Sequence, residues 1–299
     1  MKTVRAGFIF VVLAMSTSLF AQDQVEVNRT PISDREFAIV SDHFGYDRSA
    51  NLDTITLGSW PHRIPYTINK VEFKSTHGER VPAYFTHPKD STGTKYPAVL
   101  LLHGMNGFWG KNEDWALDWM DILSREGWCV LVADFYGFGE RMQAGQGPAW
   151  DRPPYASRQA LIQSVTDQRR GLDYLMSRAE VDTSRIALMG GSMGGYFGVF
   201  VAGLEDRFAT VVLTVTGAWP EDLSTDDQFG RFGHTLNFAP RVNAPILMAN
   251  ATGDGRTLGE ELFNAMPNPK KQVWYESDHY LPPREYNEDV VGWLHEHLD

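Results

Sequence analysis

Cysteine is nearly missing, since Cys129 is the only one among 299 residues. No disulfide can form within the chain, so its stability has to come from packing and hydrogen bonds. Cys129 sits in the apolar run Trp128 to Val132 and reads as a core side chain. Positive charge is short as well: 27 Lys and Arg stand against 38 Asp and Glu, a formal net charge of −11. An acidic surface repels polyanions, which argues against nucleic acid as a partner. Its plainest effect is to keep the protein in solution. Metal-ligand spacing is missing among the nine histidines except at His295 and His297, and these two face different sides of a helix. Glycine-rich phosphate loops are missing too, because Gly145-Gln-Gly147 does not stand between a strand and a helix. The sequence therefore asks for neither a metal nor a cofactor. It contains no internal repeat, no low-complexity tract and no linker long enough to separate a pair of domains. It carries no mark of oligomeric state.

Long apolar runs are absent beyond the amino terminus. There, Lys2 and Arg5 precede the apolar or small stretch Ala6 to Phe20, and Ala21 is followed by Gln22-Asp23-Gln24. This is the three-part layout of an export signal, cut after Ala21. The apolar stretch is short for a membrane span, which needs about 20 residues. With no cysteine at the cut there is no lipid attachment, and cleavage leaves no stable membrane insertion. The expected location is secreted or periplasmic. Loss of the two basic residues would take the net charge from −11 to −13.

The rest is a single domain by length, with 42% hydrophobic and 22% charged residues, ordinary values for a globular protein. The expected division is a signal over 1–21, an N-terminal extension over 22–65 and a catalytic domain over 66–299. Val71 to Ser75 and Val81 to His87 flank the turn His77-Gly78-Glu79-Arg80 and predict a hairpin. Strand runs follow at 98–102, 128–133, 185–189, 209–215, 245–249 and 272–276, the first of them wholly apolar, as a strand buried on both faces requires. Between them lie helical stretches: one capped by Asn112 and running through Glu126 to a stop at Gly127, then 157–178, 194–204, a helix to Met266 capped by Thr257 and Glu260, and 284–298. Strands alternating with helices imply right-handed crossovers and a mostly parallel central sheet with helices on both faces.

Chemistry is concentrated at the ends of these strands. Gly190-Gly-Ser192-Met-Gly194 is a G-x-S-x-G pattern, weak alone but placed directly between a strand and a helix. On such a turn the serine is lifted above the sheet edge, and Gly190 and Gly194 leave room where strand and helix meet. A serine hydroxyl needs a base, and the base an orienting carboxylate. Asp254 and His279 each follow a later strand, in the chain order Ser, acid, His. Rival acids are Asp278, whose side chain diverges from its neighbour's ring, and Asp226 or Asp227 in the connection after the strand at 209–215. His234 is a second choice for the base. The backbone N–H groups of Met193 and of Met105, in the loop His103-Gly-Met-Asn-Gly107, are the expected oxyanion donors, with the His103 side chain tying that loop down. Phe108, Trp109, Tyr136 and Trp219 sit on loops at the same edge and are candidate substrate-binding aromatics.

These features together resemble the α/β-hydrolase superfamily, in particular its dienelactone hydrolase-like and acetyl xylan esterase-like members. The likeness runs over about residues 70–299 and is most specific from Val181-Asp182 to Gly195. It implies an α/β-hydrolase fold and a serine esterase acting through an acyl-enzyme on short-chain acyl or acetylated carbohydrate esters, without a cofactor. Dienelactone hydrolases usually carry cysteine where Ser192 stands, and acetyl xylan deacetylases usually carry glutamate where Tyr280 follows His279. The alternatives are a prolyl oligopeptidase-like peptidase and a binding protein that has lost its chemistry.

Overall fold

The computed structural model describes residues 29–61, 65–89, 93–105, 107, 109–143, 153–219 and 232–299. The expected signal segment, Phe108, and Asp226 and Asp227 lie outside the described residues. In chain order the elements are α1 (Asp34–Asp42), β1 (Ile55–Pro61), β2 (Tyr66–Lys74), β3 (Arg80–Pro88), β4 (Tyr96–Leu102), α2 (Asp114–Arg125) and β5 (Cys129–Ala133). They continue with α3 (Pro154–Met176), β6 (Val181–Gly191), α4 (Met193–Gly203), β7 (Thr210–Thr214), the short α5 (Thr235–Phe238) and β8 (Ile246–Ala251). The chain closes with α6 (Arg256–Ala265), β9 (Lys270–Tyr275) and α7 (Pro283–Leu298).

All nine strands join one sheet in the order β1-β2-β3-β5-β4-β6-β7-β8-β9. β1, β2 and β3 pair antiparallel, β3 joins β5 antiparallel, and β4 through β9 run parallel. The hairpin expected from residues 71–87 is therefore present. It extends outward through β1, so the segment before residue 66 supplies an edge strand as well as the capped helix α1.

The apolar strand runs divide between two cores because side chains alternate along a strand. In β4, Ala98, Leu100 and Leu102 point into the larger core with α3 and α4. Val99 and Leu101 point into the smaller one with α2 and α7. Cys129 is fully buried in the larger core, and burial pushes its thiol up to about 12, so it stays protonated.

Two expected caps fail. Asn112 lies in the short 3₁₀ turn Gly110–Asn112, and α2 begins at Asp114 with Glu113 at its N-cap and no side-chain cap bond. Thr257 does not cap its helix: α6 begins at Arg256, with Gly255 at the N-cap in a left-handed conformation (φ 85°) and no side-chain cap bond. The tight turn after β8 starts the helix two residues early, which leaves Thr257 inside the first turn.

From β4 the chain crosses first to β5 on one side and then back to β6 on the other. Loops leaving β4 and β6 therefore diverge, opening the crevice beyond the carboxyl ends where open α/β sheets gather their ligands.

Candidate active site

Ser192 sits at this crevice, between the end of β6 and the first turn of α4. Its backbone has φ 54° and ψ −117°, a region that non-glycine residues enter only when the surroundings force them. The Ser192 N–H donates to the Thr214 carbonyl at 2.9 Å, and its carbonyl accepts from the Tyr196 N–H at 2.9 Å. Packing permits the turn only through glycine. A Cβ on Gly190 would lie 2.3 Å from the Gly194 carbonyl oxygen, and one on Gly194 would lie 2.1 Å from that of Leu102. Val215, at the end of β7, is also left-handed (φ 43°), so two strained residues stand side by side at one edge.

His279 and Asp254 arrive from loops after β9 and β8. Those loops are stitched together, because the Gly253 N–H donates to the Ser277 carbonyl at 2.9 Å. His279 Nε2 lies 3.0 Å from Ser192 Oγ, and its Nδ1 lies 2.8 Å from Asp254 Oδ2. The ring and the carboxylate are partly open to solvent. The rivals stand elsewhere. Asp278 accepts from the Tyr280 N–H at 3.0 Å, a bond within its own turn, while His279 Nδ1 is paired with Asp254. His234 is fully buried and caps α5 through Nδ1, accepting from the Leu236 N–H.

The loop after β4 faces Ser192. His103 is fully buried, its Nε2 accepting from the Phe135 N–H at 3.1 Å and its Nδ1 lying 2.7 Å from the Gly104 carbonyl oxygen. Burial holds its pKa down at about 4, so the ring is neutral. The Gly104 N–H donates to the buried Glu113 carboxylate. Met105 opens toward solvent, whereas Met193 is buried as the first residue of α4.

A cavity of about 520 Å³ reaches from Ser192, His279 and Met105 into the space between α2 and α7. Its walls include Trp115, Trp119, Ile122, Leu281 and Tyr286. Trp109, Tyr136 and Trp219 are not among its lining residues. Trp109 is exposed, Tyr136 packs with Arg141, and Trp219 packs on Tyr196. Sequence reading missed the aromatic wall, although a signal existed: Trp115, Trp119 and Ile122 recur at i, i+4 and i+7 soon after the loop that follows β4. Among the described residues, no three His, Cys, Asp or Glu side chains converge as a metal ligand set. No helix of the described residues is long and apolar enough to cross a membrane.

Residues 81–267, more than half of the chain, match the dienelactone hydrolase family. The chain belongs to that family. This dienelactone hydrolase-family protein is similar to YtaP of Bacillus subtilis, at 30% identity over 143 residues, covering 45% of this chain and 48% of YtaP. The matched stretch is thus about half of that relative's length. In fold it is similar to acetyl xylan esterase 1 from Thermoanaerobacterium sp., with a TM-score of 0.71 and 19% identity over 91% of this chain and 96% of the other. The acetyl xylan esterase from Paenibacillus sp. R4 gives a TM-score of 0.69 and 21% identity over 90% and 96%. Fold and family agree: the protein is an α/β hydrolase.

Proposed function

We propose that this hydrolase is a serine carboxylesterase with Ser192 as nucleophile, His279 as base and Asp254 as the orienting acid. The carrying observation is the unbroken hydrogen-bonded chain from the Asp254 carboxylate through His279 to the Ser192 hydroxyl. A serine in that chain gains what its free hydroxyl lacks, a base that removes its proton as it attacks.

In this reading Ser192 Oγ adds to the ester carbonyl while its proton passes to His279 Nε2. The Met105 and Met193 N–H groups hold the negative oxygen, helped by the positive end of α4. Collapse expels the alcohol, which takes the proton from His279 and leaves an acyl-Ser192. Water then gives a proton to His279 and attacks the acyl carbon; the carboxylic acid departs and the proton returns to Ser192. The acyl-enzyme divides one difficult hydrolysis into two easier steps. The cavity of about 520 Å³ suits a small ester better than a deep lipid site. Short-chain acyl esters and acetylated carbohydrates are the favoured substrates, in keeping with the activity for which the two structural neighbours are named. Residues 1–21 act as the export signal, which puts the mature enzyme outside the cytoplasm.

Hydrolysis of p-nitrophenyl esters from acetyl to octanoyl, with acetylated sugars and peptide amides alongside, tests the reading. Ser192→Ala should lower kcat by about 10⁴-fold or more. A Ser192→Ala variant that keeps full turnover, or a preference for amides over every ester, would overturn it.

A further inference from the structure

Gly104 is held from both sides. Glycine has no side chain to restrict its backbone, so the geometry of the loop after β4 depends on what grips the two peptide units around it. The preceding unit is held at its N–H, which donates to the Glu113 carboxylate. The following unit is held at its carbonyl, which lies 2.7 Å from His103 Nδ1. The tautomer follows from the partners. His103 Nε2 accepts from a backbone N–H, so the neutral ring carries its proton on Nδ1 and donates to the Gly104 carbonyl.

That carbonyl shares its peptide plane with the N–H of Met105. In a trans peptide the two groups point in opposite directions, so fixing one aims the other. A donor on the carbonyl also polarises the unit and makes the Met105 N–H a stronger donor.

Glu113 stands at the N-cap of α2, yet its carboxylate makes no cap bond to that helix. It turns instead onto Gly104 and lines the cavity that holds Ser192. Its own position is braced from β5. Two residues earlier, the Lys111 backbone N–H donates to Asp134 at 2.8 Å and its ammonium to the same carboxylate at 2.7 Å. The neighbouring Phe135 N–H supplies the bond to His103. Both arms of the grip therefore rest on the carboxyl end of β5.

We propose that Glu113 is a positioning residue, which together with His103 locks the Gly104 peptides so that the Met105 N–H is aimed at the oxyanion above Ser192. This rests on the esterase reading, and it assigns Glu113 an acceptor's work rather than that of a charge. The glutamine variant keeps an acceptor oxygen at the same reach, whereas aspartate keeps the charge but falls one methylene short.

The test compares Glu113→Ala, Glu113→Gln and Glu113→Asp with the unsubstituted enzyme on p-nitrophenyl butyrate, reading kcat, KM and inhibition by butylboronic acid, whose tetrahedral adduct occupies the oxyanion site. Each variant is assayed below its own thermal midpoint. Glu113→Ala and Glu113→Asp should lose about 10- to 100-fold in kcat with KM moved less than about threefold, and should bind the boronate correspondingly more weakly. Glu113→Gln should recover kcat to within about threefold of the unsubstituted enzyme. Full kcat in Glu113→Ala overturns the assignment. So does rescue by aspartate in place of glutamine, which would make charge the operative property. If Glu113→Ala does not fold, the contrast between glutamine and aspartate decides alone. An unsubstituted protein that turns over no ester sinks the esterase reading and this role together, whereas an active one indifferent to Glu113 sinks only the role.

Discussion

The identity of the acid is a question for single residues. Asp278 adjoins His279 in sequence, yet its carboxylate is occupied by the Tyr280 N–H, while Asp254 crosses from another loop to meet the ring. Replacing Asp254 by asparagine leaves the shape but reverses the hydrogen-bonding sense at His279 Nδ1, which favours the wrong tautomer. Asp254→Asn should therefore lose on the order of 10³- to 10⁴-fold in kcat. Asp278→Asn should lose less than about threefold, since asparagine oxygen still accepts the local N–H. Steady-state kinetics on one ester separates the two, and equal losses would remove Asp254 from the mechanism.

At the scale of elements, the loops after β4 and β5 are joined by a buried charge. The Lys111 ammonium, itself fully buried, sits 2.7 Å from Asp134 and 2.6 Å from Glu140. Asp134 is fully buried as well. A buried pair gives little net stability compared with an apolar substitute, but removing one partner strands the other charge away from water. Lys111→Met should cost about 3–5 kcal/mol in urea unfolding. The double variant with Asp134→Leu should lose clearly less than the sum of the two single changes. Additive losses would show that the two side chains do not depend on each other.

For the whole molecule, α7 is the last helix in chain order and packs on the sheet through Val290 and Leu294, and its end is tied by His295. That ring lies 2.6 Å from Asp299 and 3.1 Å from Glu126 at the end of α2. The bond to Asp299, then that to Glu126, raises the His295 pKa above its ordinary 6.5. A pKa raised by folding means that the protonated ring stabilises the native state. This contribution is complete below about pH 6.5 and disappears as the pH climbs through the raised value. The pair is partly exposed, so solvent screening holds the effect to roughly a few tenths of a kcal/mol. The unsubstituted protein should melt slightly higher than His295→Gln at pH 6, with the gap closing by pH 9. A gap that widens with pH would reverse the sign and refute the argument.

Local chemistry determined much of this protein in advance. Short apolar runs alternating with helical stretches imply strands covered by helices on both faces, so the parallel core and its helical layers were legible from 98–102 onward. Glycines around Ser192 marked the elbow because a Cβ there would strike backbone. The order of Ser192, Asp254 and His279 also pointed to three side chains that stand within hydrogen-bond reach of one another. The extra edge strand β1, the groove between α2 and α7, and the grip of Glu113 on Gly104 were decided only by the tertiary structure. Periodicity reports which side chains a segment buries, not which distant segment it meets. Ser192 and His279 touch across 87 positions of chain, and such meetings depend on how crossovers and loop lengths bring strand ends together in space.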